Sequence, residues 1–137
     1  MTYANARASR TYSSMATTTG VEAASPHRLI QMLLEGALDK IARAKGFMER
    51  GDIPARGHNI TRAIDIIEGL RVSVDTSVKH PLTDNLISLY DYMGRRLLQA
   101  NLESSAAMLD EVSGLLREIK EAWDAIPANL QRDTAGA

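Results

Sequence analysis

The placement of proline constrains this chain more than any other feature. There are four prolines, Pro26, Pro54, Pro81 and Pro127, and none interrupts a periodic run of apolar residues. Proline is tolerated in the first turn of a helix, where its missing N–H has no intrahelical acceptor, and it breaks a helix elsewhere. Ser25-Pro26 therefore reads as an N-cap followed by a first helical residue, and Asp52 with Pro54 as a second such start. Pro81 leads into a third helix, and Pro127 follows the end of a fourth.

The apolar periods agree with this division. Ile30, Leu34, Ala37, Ile41, Ala44 and Met48 alternate four and three apart. The second segment carries Ile53, Ile60, Ile64, Ile67, Leu70 or Arg71, and Val74, and the third Leu82, Leu86, Leu89, Met93, Leu97 and Ala100. The fourth, opened by Ser104 or Ser105, carries Leu109, Val112, Leu116, Ile119, Trp123 and Ile126. Each pattern places one apolar stripe on one helix, and such stripes pack neighbouring helices at shallow angles. The links at Gly51-Asp52 and Glu103-Ser104 are too short for anything but antiparallel neighbours. The expected fold is all-α, an antiparallel up-down four-helix bundle over residues 25–127. Residues 1–24, small and polar with no sustained period, read as a flexible N-terminal arm, and residues 128–137 as a flexible tail. In the arm Tyr12 and Met15 are large side chains at helical spacing, enough for a short docking helix.

The stripes are wider than a simple seam, with Leu29, Met32, Leu33, Ile66, Ile87, Tyr90, Leu98 and Leu115 flanking them. Burial of each such side chain is worth about 1.5–3 kcal/mol, so a fat core accounts for most of the surplus. The remainder is available to line a groove for a partner helix. Six glycines, at 36, 46, 57, 69, 94 and 114, lie in or near the helical segments. Each costs about 1 kcal/mol against alanine, which points to close helix contacts or to helices kept soft.

Composition excludes several function classes. Sixteen Lys and Arg against 17 Asp and Glu leave a net charge of -1, which argues against nucleic acid or an anionic membrane as a partner. With no cysteine there are no disulfides, thiolate nucleophiles or thiolate metal sites. No stretch approaches the roughly 18 apolar residues of a membrane span, and the first residues are not a signal-peptide core. The three histidines are scattered, with His27 in a first turn and His80 before Pro81, both expected to face solvent. No Glu precedes a His by three residues, as a di-metal bundle requires, and no phosphate-cradling loop is present. Glu35 and Asp39 share a helix face, but Asp39 has Arg43 four residues on, an ordinary surface ion pair. Arg95-Arg96 is diluted by Asp84, Asp91 and Glu103 on the same helix. The pattern calls for no enzyme activity, cofactor or metal, and points to binding. The rival reading is a phosphotransfer bundle using His58, although Thr61 and Arg62 stand where such domains favour Lys and a small residue.

Three stretches carry a family resemblance. They are Ala24-Ser25-Pro26-His27-Arg28-Leu29-Ile30-Gln31-Met32-Leu33-Leu34-Glu35-Gly36-Ala37, Asn85-Leu86-Ile87-Ser88-Leu89-Tyr90-Asp91-Tyr92-Met93-Gly94-Arg95-Arg96-Leu97 with Ala100-Asn101, and Leu109-Asp110-Glu111-Val112-Ser113-Gly114-Leu115-Leu116 with Ala122-Trp123. In order and spacing they resemble the flagellin export chaperones, the FliS family, over about residues 12–124; the second stretch is the specific one. Leu34 stands where that family commonly has Tyr, and Ala23 where Thr often precedes Ser-Pro.

The resemblance implies a chaperone of the bacterial cytoplasm that binds the disordered C-terminal segment of flagellin and prevents premature polymerisation. It also implies presentation of the cargo to the flagellar export gate. On this reading the expected groove lining is Ile60, Ile64 and Ile67 with Leu86, Leu89, Tyr90, Met93 and Leu97, and Asn101 as a polar contact. The arm would lie over the groove as a lid through Tyr12 and Met15. A generic helical oligomer, with the surplus stripes buried in a homodimer, is the structural alternative. Deleting residues 1–18 is expected to leave the bundle folded and to change its affinity for flagellin. An unchanged affinity by calorimetry removes the lid.

Overall fold

The computed structural model describes residues 24–75, 77 and 80–127. It consists of α1 (Pro26–Glu49), α2 (Ile53–Ser73), α3 (Pro81–Glu103) and α4 (Ala106–Asp124). The start of each helix is set by a side-chain cap. Ser25 Oγ accepts from the Arg28 N–H at 3.1 Å, and Asp52 Oδ1 from the Ala55 N–H at 3.2 Å. Ser105 Oγ accepts from the Met108 N–H at 3.2 Å, so Ser105, and not Ser104, opens α4. At α3 the cap is His80, whose Nδ1 accepts from the Leu82 N–H at 3.1 Å. These bonds satisfy backbone donors that have no partner within their own helix.

Both short links turn through the left-handed region. Gly51 has φ 72°, a conformation open to glycine without steric cost. Ser104 has φ 51° and ends α3 one residue before the next cap. A side chain from another helix holds Ser104 there, as described below.

The helices pack in a ring, α1 against α2 and α4, and α3 against α2 and α4. Pairings between ends show that neighbours run antiparallel. Gln31 near the start of α1 donates to Asp124 at the end of α4, and Lys45 near the end of α1 pairs with Asp110 near the start of α4. Arg56 in the first turn of α2 reaches Asn101 in the last turn of α3. All-α topology, helix number and chain order agree with the sequence reading.

The stripes meet in one core. Leu34, Ala37, Ala44, Ala63, Met93, Leu97, Ala100, Leu109, Val112 and Leu116 are wholly buried, and Leu33, Ile41, Ile60, Ile67 and Leu70 nearly so. Ile30, Met48, Ile64, Val74, Leu86, Leu89, Ile119 and Trp123 close its edges. Two expected stripe members stay outside, Ile53 at 62% and Leu82 at 68% exposure. Both stand in a first turn at an end of the bundle, where a helix has few neighbours to pack on. The helical glycines do not all mark close contacts. A Cβ added at Gly94 or Gly114 meets nothing within 4 Å, and at Gly57 only the Asn101 amide at 3.8 Å.

Adjacent leucines on α3 separate core from surface. Leu97→Ala is expected to cost about 2–5 kcal/mol in denaturant unfolding, because a wholly buried side chain leaves a cavity. Leu98→Ala, at a position 56% exposed, should stay within about 0.5 kcal/mol of the parent chain.

Candidate functional site

The face formed by α2 and α3 is where the sequence places a groove. Asp91 reaches Arg71 of α2 at 3.6 Å and Asn101 reaches Arg56, so the side of α3 bearing Asp91, Leu98 and Asn101 faces α2. On α2 the matching side bears Ile53, Gly57, Ile64 and Arg71, spaced one or two turns apart, with Gly57 lying against the Asn101 side chain. The charged end of the groove is closed by Arg71, held by Glu68 at 2.5 Å and by Asp91. Its other end is apolar. Of the five large hydrophobic side chains exposed among the described residues, two stand here, Ile53 and Leu98 at 56%; Leu102, at 85%, lies on the outer face of α3, opposite its core stripe.

The expected lining residues divide by depth. Ile60, Ile67, Tyr90, Met93 and Leu97 are interior, between 0 and 4% exposed, and belong to the core. Ile64, Leu86 and Leu89 are half-buried at the core's edge, and Asn101 is half-exposed. Tyr12 and Met15 lie outside the described residues. Sequence reasoning missed the exposed apolar row of Ile53 and Leu98, having put Ile53 in the core and Leu98 on a flank. The available signal was the offset of Leu98 from the Met93-Leu97-Ala100 stripe, since it lies one helical position outside it.

It also missed Arg56, the centre of the polar structure under that row. Arg56 is 9% exposed, and its guanidinium makes three bonds to the end of α3. Nε donates to Asn101 Oδ1 at 2.9 Å, one terminal nitrogen to Ser104 Oγ at 2.8 Å and the other to the Asn101 carbonyl at 3.1 Å. A buried cation is tolerable only when paired in this way. The last turn of α3 contains no basic residue of its own, so α2 supplies the positive charge that the helix terminus favours. An arginine on the core side of the first turn of α2, one turn before Ile60, was the signal in the sequence.

On the other flank of α3, Glu111 of α4 accepts from the Tyr92 hydroxyl at 2.5 Å and from Arg96 Nε at 2.6 Å. These two bonds, Tyr92 first, hold the Glu111 carboxyl below its usual range, and the same contacts raise the Tyr92 phenol and Arg96. The cluster ties α3 to α4 and offers no nucleophile.

The histidines separate by environment. His27 is not at the surface, as the sequence suggested, but 3% exposed. Its ring stacks on Trp123 with centroids 4.8 Å apart, and Trp123 Nε1 donates to the His27 carbonyl at 2.9 Å. Neither ring nitrogen has a hydrogen-bond partner. The indole of α4 covers the first turn of α1, which a one-dimensional pattern cannot register. His80 is exposed and caps α3, and His58 is exposed on α2. Among the described residues no three His, Asp or Glu side chains come together as a metal site, and no helix is long and apolar enough to cross a membrane.

Comparison with known proteins agrees with the resemblance read from the motifs. Residues 8–130 match the family described as flagellar protein FliS. The chain is 45% identical over 120 residues to the flagellar secretion chaperone FliSB of Pseudomonas aeruginosa, covering 88% of this chain and 95% of that protein. It is 45% identical over 118 residues to the flagellar secretion chaperone FliS of Salmonella typhimurium, covering 85% and 87%. Against the Bacillus subtilis flagellar secretion chaperone FliS it is 32% identical over 117 residues, covering 85% and 86%.

The Glu111 cluster predicts a pH dependence. A carboxyl whose value is lowered by folding stabilises fully above its unfolded value, and that contribution is lost as pH falls through the folded one. Glu111→Gln should therefore show a shallower fall in Tm than the parent chain between about pH 5 and about pH 3, read by thermal melts. Parallel acid-side curves would remove the role assigned to this cluster.

Proposed function

The chain belongs to the FliS family, a family of flagellar chaperones and not of enzymes, and from that premise we propose that it holds the disordered C-terminal segment of flagellin in the cytoplasm. By covering that segment it prevents early polymerisation, and it delivers the subunit to the flagellar type III export apparatus. The observation that supports this reading is the exposed apolar row of Ile53 and Leu98, on the sides of α2 and α3 that face each other. Solvated leucines and isoleucines in a row gain free energy when an amphipathic helix covers them. A cargo segment that is disordered when free loses entropy on binding, so its affinity stays moderate for the surface covered. That suits a chaperone whose cargo has to leave.

The catalytic alternatives have less behind them. His58 is exposed, but its family is one of chaperones, and no acidic or metal cluster forms among the described residues. The homodimer reading uses the same apolar row, with a second copy in place of flagellin.

Size-exclusion chromatography with light scattering decides between these occupants. The chain with a flagellin C-terminal fragment is expected to elute as a one-to-one complex. Leu98→Asp combined with Leu102→Asp should abolish it while leaving the helical circular dichroism intact, since both positions are exposed. No complex with folded parent chain overturns the proposal. A doubled mass for the chain by itself, lost in the same variant, assigns the row to a dimer.

A further inference from the structure

The Arg56 knot has a second consequence, which rests on the α2–α3 groove being the cargo site. Arg56 can only donate, so the Asn101 atom that receives its Nε must be the carbonyl oxygen, and the orientation of the amide is settled by chemistry. The Asn101 main-chain carbonyl is bound by the same guanidinium. The Asn101 NH2 group is thereby turned away from Arg56 and against Gly57, 3.8 Å from where a Cβ would stand. Among the described residues no acceptor pairs with it. It is half-exposed, with Leu98 one turn earlier on the same side of α3. Two N–H donors are thus held in fixed direction beside an exposed leucine, and the absence of a side chain at Gly57 leaves room to approach them.

We propose that Asn101 Nδ2 is a specificity contact of this chaperone, donating to a carbonyl oxygen of the bound segment, with Arg56 as the residue that positions it. Inside a helix main-chain carbonyls are already bonded, and only those of the last turn remain free. The acceptor chemistry therefore places the end of a cargo helix at Asn101, its apolar face running over Leu98. A carbonyl pressed into an apolar rim without a donor loses its hydration uncompensated, so this bond discriminates between registers of the bound segment. Arg56 touches no cargo and acts through the amide it orients.

Asn101→Asp tests this in the full chain. The substitution keeps an oxygen for Arg56 and replaces the NH2 donor by a second acceptor. Expected is an unchanged or raised Tm with binding of a flagellin C-terminal fragment weakened about tenfold or more by calorimetry. Arg56→Lys should also weaken binding, but should add nothing in the Asn101→Asp background, because both changes disable one donor. Additive losses would make Arg56 merely structural and overturn its positioning role. If Asn101→Asp is destabilised, the side-chain amide signals of Asn101 in the parent chain decide: they should shift on adding the fragment, and unmoved signals overturn the contact. If parent and Asn101→Asp bind alike while Leu98→Asp with Leu102→Asp abolishes binding, the groove reading stands and this inference fails. No binding by the parent chain overturns both.

Discussion

Four apolar stripes, none able to leave water except against the others, hold this molecule together. Leu34 and Ala37 of α1, Ile60 and Ile67 of α2, Met93 and Leu97 of α3, and Leu109 and Val112 of α4 meet in one interior with almost no exposure. Each helix is 19 to 24 residues long and draws most of its stability from packing its apolar face rather than from its own propensity. The shared core makes them mutually dependent, and the short links at Gly51 and Ser104 allow only the antiparallel ring. All surface features inherit their positions from that arrangement. The stripes of α2 and α3 turn Ile60, Met93 and Leu97 inward and leave Ile53, Leu98 and Leu102 in solvent.

At that rim polar chemistry supplements packing. Arg56 crosses from α2 to close the end of α3, satisfying the Asn101 carbonyl and holding Ser104 in the turn that starts α4. The same residue that completes the fold at this corner also sets the edge on which the exposed leucines stand. At the opposite end Trp123 closes the bundle by stacking on His27, at the cost of leaving two ring nitrogens unpaired.

Helix starts were legible because capping depends on residues three or four apart. Ser25-Pro26, Asp52 with Pro54, and Ser105 each announce a start that the backbone bonds then show. The core was legible to the depth of one stripe per helix. Legibility failed where neighbours come from another helix. His27 has the local signature of a solvated first-turn residue, and only the indole from 96 positions away buries it. Tyr90 and Ile67 have the composition of groove residues and sit in the core, because the register of α2 against α3 decides which turn faces out. Asn101 was singled out for polarity alone, and its pairing with Arg56 spans 45 positions.

The amino-acid order by itself determined the number of helices, their boundaries to within a residue or two, their antiparallel course and the family, since each of these rests on periods, caps and motifs contained in short stretches of chain. Tertiary structure alone decided which apolar residues meet solvent, which histidine is buried, and which way the Asn101 amide points. Those properties depend on the rotation and register of one helix against another, and these are set by the summed fit of the whole core rather than by any local run of residues.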